Sequence, residues 1–195
     1  MTSAPPFAPS VASALTEISA ELAATAAAMA ENSGAQLDRA AVELARAHRV
    51  FLLGAGRSGL ALRMTAMRLM HLGLTAHVVG EATAPAIASG DVLLVASGSG
   101  TTPGIVAAAT TASEVGASVV AITADAASAL ALSSTVTVVV PAARKRDRDS
   151  AASAQYAGSL FEQSVVVVGD ALFHALWKAS GLTADELWPR HSNLE

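Results

Sequence analysis

An alternation limits this chain more than any other feature. Short apolar runs that stop at glycine, serine or proline take turns with longer segments whose apolar residues recur at helical spacing. The short runs are Arg49 to Leu53, Thr75 to Val79, Asp91 to Ala96, Ser118 to Thr123 and Thr135 to Val140. Most are apolar on successive residues, so both faces of such a strand need cover. Between and after them, Ser58 to Leu72, Thr102 to Val115 and about Ala154 to Ser180 read as helices, closed by Gly73, Gly116 and Gly181. Strands and helices in this order predict an α/β fold: a three-layer αβα sandwich, with a five-stranded parallel sheet flanked by helices.

The remaining segments fit around that core. Residues 1–9 hold Pro5, Pro6 and Pro9 and are expected to be a frayed arm. Two helices follow, Ser10 to Glu31 and Ala35 to Ala47, with Asn32-Ser33-Gly34 as the expected stop between them. Arg144 to Ser153 reads as a polar loop. Thr183 to Leu187 reads as a last short helix, with Thr183 as N-cap and Glu186 three residues on. With no repeat and no clear boundary, 1–195 is expected to be one domain: helices over 10–47, the α/β core over 48–180, and a terminal helix and tail over 181–195.

Composition excludes several classes. Only 14% of the 195 residues are charged against 52% apolar, where about 25% charge is usual. A chain so poor in charge is expected to bury surface against further copies of itself, as a homo-oligomer. The net charge of −4 lacks the basic footprint of a nucleic-acid binder. The absence of cysteine excludes disulfides and thiolate metal sites. No basic-then-apolar leader opens the chain. The apolar runs read as broken before the ~20 residues of a membrane span, so no membrane partner is expected and the cytoplasm is the expected compartment.

Two loops at strand ends carry the chemistry. Gly54-Ala55-Gly56-Arg57-Ser58-Gly59 follows a strand and opens a helix, as a dinucleotide fingerprint does. Glu81 offers an acid after the second strand. The motif also suits a tight turn without a ligand. Long helices ahead of the first strand, and the wide spacing to Glu81, argue against a nicotinamide cofactor. The second loop, Ser97-Gly98-Ser99-Gly100-Thr101-Thr102, packs four hydroxyls and two glycines between a strand and a helix. Glycines let backbone N–H groups converge, and a helix N-terminus adds positive potential, so a phosphate is the expected guest. The plainer alternative is a Ser/Thr-rich helix cap. No lysine follows the second glycine as in a Walker A loop, which argues against nucleoside triphosphate hydrolysis.

These residues resemble the sugar isomerase (SIS) domain family, and within it the 6-phospho-3-hexuloisomerase branch. The resemblance rests on Gly56-Arg57-Ser58-Gly59, on Met67-Arg68-Leu69-Met70-His71-Leu72-Gly73, and on Val79-Gly80-Glu81. It rests also on Ser97 to Gly100, Gly158-Ser159-Leu160-Phe161-Glu162-Gln163, and the C-terminal Arg190-His191-Ser192-Asn193-Leu194-Glu195. It implies conversion of D-arabino-hex-3-ulose 6-phosphate to fructose 6-phosphate, in the ribulose monophosphate route of formaldehyde fixation. It implies no nucleotide, metal or other cofactor, a tetramer, a flavodoxin/Rossmann-like sheet, and functional coupling to a hexulose-6-phosphate synthase. Two positions depart from the family pattern: Thr101 stands where relatives often carry Glu, and Tyr156-Ala157 where many carry Pro-Met.

Moving a carbonyl between adjacent carbons needs a base that takes a proton from one carbon and returns it to the next. A carboxylate in a partly apolar site suits this. Glu162 sits among Leu160, Phe161 and Val165 to Val168, on an expected polar stripe with Gln155 and Ser159. By itself that reading competes with a glutamate favoured by the helix dipole; the resemblance assigns Glu162 the proton transfer. Ser97, Gly98, Ser99, Gly100, Thr101 and Thr102 are expected to hold the phosphate, with Arg57 and Ser58 on the opposite wall. His71 is either a helix C-cap or an active-site group that polarises the carbonyl. His191 lies in a tail that is either disordered or reaches a neighbouring subunit's pocket. His48 and His77 read as structural, and His174 as a core histidine. The rival readings are an arabinose 5-phosphate type isomerase, a sugar-phosphate sensor without catalysis, and a nicotinamide oxidoreductase.

Overall fold

The computed structural model describes residues 10–142 and 153–194. The expected arm at 1–9 and nearly all of the expected polar loop lie outside the described residues. Five strands, β1 (Val50–Gly54), β2 (Ala76–Val78), β3 (Val92–Ala96), β4 (Ser118–Thr123) and β5 (Val136–Val139), form one sheet in the order β2-β1-β3-β4-β5. Every pairing is parallel; Leu52, for instance, stands in register with Val78 on one side and Leu94 on the other.

The successive apolar residues of each strand serve two cores. Val50, Leu52, Leu94, Val120 and Ile122 face α1 (Val11–Arg46), α2 (Gly56–Leu72) and α5 (Ser159–Ser180). Phe51, Leu93, Val95, Val119 and Ala121 face α3 (Pro103–Glu114) and the short α4 (Ala129–Leu132). Covered faces on both sides are what unbroken apolar strands require. The expected three-layer αβα architecture and five-stranded parallel sheet are those observed.

Four details differ from the sequence reading. Asn32-Ser33-Gly34 does not stop the first helix; α1 is continuous for 36 residues. Asn32 Nδ2 donates to Ala28 O one turn back at 2.9 Å, and the buried Ser33 Oγ donates to Val139 O at 3.2 Å. A mid-helix glycine costs about 1 kcal/mol relative to alanine. Packing of Met29, Ala40 and Leu44 on either side of it outweighs that cost. In the second difference, α5 begins at Ser159 rather than near Ala154. Ala157 has φ of +52°, a left-handed conformation that cannot continue a helix. Gln155 therefore leaves the expected helical stripe, and its Nε2 donates to Glu21 of α1 at 2.9 Å.

The third difference is α4, which the alanine-rich sequence hid. Its Ser128 caps it by accepting from Ala131 N. Finally, α5 is long and apolar enough to cross a membrane by length and composition. Here Leu160, Phe161, Val165, Val168, Leu172 and Leu176 are buried in the core instead. The last helix, α6 (Ala184–Leu187), carries the expected capping box between Thr183 and Glu186. A single 3-10 turn, Trp188–Arg190, then folds the tail back on α2, where Arg190 Nη1 donates to the carbonyl of His71 at 3.0 Å.

Candidate active site

The chain leaves β1 for β2 on one side and returns to β3 on the other. In open parallel sheets the crevice beyond the C-terminal ends of two such strands is where ligands bind. A cleft of about 160 Å³ lies at this place. Its three walls come from the N-cap and first turn of α2 (Ala55, Gly56, Ser58), the loop after β3 (Ser97, Gly98, Ser99, Thr102) and the start of α5 (Gly158, Phe161, Glu162).

The first wall is a packing device. A Cβ on Gly59 would lie 2.4 Å from the carbonyl oxygen of Gly54, so the glycines let α2 start directly against the strand that precedes it. Ser58 is buried and faces the cleft. Glu81, the acid that a dinucleotide reading would use, is paired with Arg63 at 2.6 Å.

The second wall offers donors. Ser97 Oγ and Thr102 Oγ1 are 3.1 Å apart and share a hydrogen. Thr102 is the N-cap residue of α3, yet its hydroxyl makes no capping bond among the described residues. The plain helix-cap alternative therefore does not account for it. The N–H groups of Gly98, Ser99 and Thr102 donate to nothing among the described residues. They stand at the opening of α3, whose dipole favours an anion. Gly100 and Thr101 do not line the cleft; they shape the loop. Gly100 has φ of +61°, and a Cβ there would fall 2.0 Å from Ser128 Oγ. Thr101 donates from both N and Oγ1 to Ser99 Oγ, at 3.3 and 3.1 Å.

The third wall holds the one carboxylate among the cleft's described lining residues. The Glu162 side chain is 16% exposed, and its Oε2 lies 3.0 Å from Arg57 Nη1. The same nitrogen donates to Ser159 Oγ at 3.1 Å. Arg57 therefore ties the first turn of α2 to the first turn of α5. Phe161 packs beneath Gly98, where an added Cβ would meet its ring at 3.3 Å. The role of Ser159 as a partner of Arg57 had no local signal beyond its place on the same stripe. Tyr156 is exposed and lines a neighbouring hollow with Ile18 and Gln163 rather than this cleft.

The two histidines lie elsewhere and together. His71 is at the far end of α2, about 22 Å along the helix from Gly56 at 1.5 Å per residue. Its ring centroid is 4.0 Å from that of His191, which stacks in turn on Trp188 at 4.8 Å. Within one chain this pair does not line the cleft. His71 is buried, and its Nδ1 has no hydrogen-bond partner among the described residues. Burial pushes its pKa down first, and the charges of His191 and Arg68 push the same way. A neutral imidazole is a poor dipole cap, which leaves the C-cap reading without its electrostatic basis.

The other histidines divide. His77 is half-buried against Phe51, and His48 N donates to Gly90 O, in keeping with structural roles. His174 is not a core residue: it is exposed, edge-on to Trp177, because it falls on the face of α5 turned away from the sheet. At the opposite end of the sheet, Asp91 is buried and bonded by Arg49 and by Ala88 N. Burial pushes its carboxyl up, but those bonds and the nearby charges of Arg49 and His48 outweigh it and hold it below its ordinary range. No group of three or more metal-ligating side chains gathers among the described residues.

The fold and the cleft define a class, and comparison with known proteins agrees. The SIS domain model matches residues 43–168, and the chain belongs to the SIS domain family. Its similarity extends to the 3-hexulose-6-phosphate isomerase of Mycobacterium gastri, 51% identical over 90% of this chain and 86% of that protein. The 3-hexulose-6-phosphate isomerase of Bacillus subtilis is 35% identical over 84% of this chain and 89% of that protein. A crystal structure of a Methanococcus jannaschii protein, for which a molecular function of 3-hexulose-6-phosphate isomerase was inferred, superposes with a TM-score of 0.80 at 26% identity, covering 94% of this chain and 99% of that one.

Proposed function

We propose that this chain is an isomerase that interconverts D-arabino-hex-3-ulose 6-phosphate and D-fructose 6-phosphate; the name 3-hexulose-6-phosphate isomerase, carried by relatives 51% and 35% identical to it, supports the reading. The observation that carries the reading is one cleft that holds both an anion cradle and a shielded carboxylate. The free N–H groups of Gly98, Ser99 and Thr102, with the hydroxyls of Ser97, Ser99 and Thr102, receive the phosphate. Thr101 and Gly100 hold that loop in shape, and Ser58 faces the sugar.

Glu162 is the base. It takes the proton from C2 of the 3-ketose, which leaves an enediolate between C2 and C3 with the negative charge on O3. Return of a proton to C3, with the hydroxyl proton moving from O2 to O3, leaves the carbonyl at C2. No electron leaves the substrate, so this reading needs no redox cofactor. Arg57 steadies the Glu162 carboxylate in the orientation the proton transfer needs.

His71 and His191 belong to the same proposal as the groups that move the hydroxyl proton. Because the pair lies at the far end of α2, that role requires a second subunit to bring it to a cleft. The homo-oligomer, expected as a tetramer, the coupling to a hexulose-6-phosphate synthase, the ribulose monophosphate route and a cytoplasmic setting complete the reading. The low charge of the chain and its exposed apolar side chains support the oligomer.

The test forms the 3-hexulose phosphate in place, from ribulose 5-phosphate and formaldehyde with a synthase. Fructose 6-phosphate is then followed through coupled enzymes. Product rising with added protein is the expected result; none above the synthase-only control removes the reading.

A further inference from the structure

The residues just ahead of α5 set the position of Glu162. Its N–H donates to the carbonyl of Gly158 at 3.0 Å, the bond that opens the helix. Gly158 follows Ala157, whose φ of +52° is the only left-handed value at a non-glycine among the described residues. Alanine seldom sits there, because its Cβ crowds the following carbonyl oxygen. Such a conformation persists where bonds on both sides leave the chain no alternative, and it clusters at functional sites.

Both sides of Ala157 are held. Downstream, Ser159 donates from N and Oγ to the carbonyl of Tyr156, at 3.2 and 2.8 Å. Upstream, the hold comes from a different element. Glu21 of α1 accepts at Oε1 from Ala154 N at 2.7 Å, and at Oε2 from Gln155 Nε2 at 2.9 Å and Ser153 Oγ at 3.1 Å. Gln155 extends the chain of bonds to α5, where its Oε1 accepts from Gln163 Nε2 at 2.8 Å, beside Glu162 in the sequence. The bond from Ala154 draws the Glu21 carboxyl below its ordinary range, burial opposes this, and the bonds from Gln155 and Ser153 lower it further. Glu21 is therefore charged at neutral pH, and bonds to a charged acceptor are the strong ones.

We propose that Glu21 is a positioning residue for the reaction. By fixing residues 153–155 on α1 it holds the strained turn at Ala157, and through Gly158 it places the Glu162 carboxylate in the cleft. Glu21 does not line the cleft itself. Displacing a reacting group by about 1 Å can cost on the order of 100-fold in rate, so a remote anchor of this kind acts on turnover. The catalytic consequence rests on the reading of Glu162 as the base; the anchoring stands on the bonds alone.

Two readouts test it. In hydrogen exchange followed by mass spectrometry, Glu21→Ala is expected to speed exchange at least tenfold in the peptide from Tyr156 to Gln163, with peptides of β3 and β4 unchanged. In the isomerase assay, Glu21→Ala is expected to lower kcat at least fivefold with KM changed less than threefold. Glu21→Gln keeps an acceptor for Ala154 N and should lose less than half as much. Glycine adopts the left-handed turn without strain. Ala157→Gly added to Glu21→Ala is therefore expected to recover kcat at least threefold. Glu17→Ala is the control, because Glu17 lines the same hollow as Gln155 but bonds to none of residues 153–155; it should change neither readout.

Unchanged exchange in Glu21→Ala overturns the anchor. A lower urea midpoint with kcat intact reduces Glu21 to a structural residue, and absence of recovery by Ala157→Gly removes the turn as the link; either result overturns the proposal. An inactive parent protein would remove the isomerase reading instead, and the exchange result would still decide the anchor.

Discussion

Arg57, itself outside the lining of the cleft, holds Glu162 with Nη1 3.0 Å from Oε2 and 3.1 Å from Ser159 Oγ. The first residue comes from the first turn of α2, just after β1, and the other two from the start of α5. A base that must serve two adjacent carbons has to swing little and return reliably. A charge-assisted bond from a residue on a different element limits its travel. Arg57→Met is therefore expected to lower kcat at least tenfold with KM changed less than threefold, and Arg57→Lys to recover part of the loss. A rise in KM with kcat intact would show instead that Arg57 binds substrate only.

Glu162→Gln keeps the shape of the side chain and removes the base proposed for the reaction. General-base contributions run to roughly 10²–10⁴-fold in rate, and turnover should fall into that range. Thermal stability and fructose 6-phosphate binding, read by calorimetry, should persist. More than a tenth of normal turnover would remove Glu162 from the chemistry.

Gly100→Ala tests the shape of the loop proposed to receive the phosphate. Its φ of +61° disfavours any side chain, and the new Cβ would overlap Ser128 Oγ at 2.0 Å. Strain and overpacking of this kind cost about 1–3 kcal/mol, visible in the urea midpoint, and KM for the sugar phosphate should rise. Adding Ser128→Gly removes the overlapping hydroxyl and should return part of the stability, although the α4 cap is lost with it.

His71 gives a pH signature. Its pKa is pushed below the ordinary value by burial first, and then by the charges of His191 and Arg68. Arg190 from the tail faces it too, through the His71 carbonyl. The folded chain therefore binds a proton there less readily than the unfolded chain. Stability from the neutral imidazole is complete above the unfolded value of about 6.5 and is lost as pH falls below it. The urea midpoint should drop between pH 7.5 and pH 5.5 by more in the parent protein than in His71→Gln. An equal drop would place the acid sensitivity in other groups.

A catalytic part for the distant histidine pair has its own test. Glu162→Gln and His71→Gln should each be nearly inactive. Mixed under conditions that exchange subunits, they should regain up to about a quarter of parent activity, because an isologous pair restores one complete site in each mixed dimer. Separate activities that merely average would show that the two residues do not serve one site across subunits, and an active His71→Gln would place His71 outside the reaction.

Much of the fold was written in local pattern. Runs such as Val92-Leu93-Leu94-Val95 are apolar on successive residues because Leu93 and Val95 enter one core and Leu94 the other. The serine-rich loop could be placed at a strand end because its glycines interrupt an apolar run just before a helical pattern resumes. Asn32-Ser33-Gly34 misled because a stop signal is only a propensity, and tertiary packing on both sides exceeds it. Gln155 left its expected stripe because Ala157 turns the chain before α5 can begin. His174 was misplaced for a related reason: the apolar character of a helix does not say which of its faces meets the sheet.

By itself, then, the sequence determined the layered parallel sheet, the turns at Gly54 and Gly73, and the place of the serine-rich loop between β3 and α3. Each follows from periodicity or from the limits of a residue's own backbone, which act over a few neighbours. Tertiary structure alone decided that Arg57 meets Ser159, 102 residues away, and that His71 stacks on His191 at the opposite end of α2 from the cleft. Those contacts depend on how α2 and α5 lie against one sheet and on where the tail returns. No local pattern encodes such placements, because they are fixed by packing among segments distant in the chain.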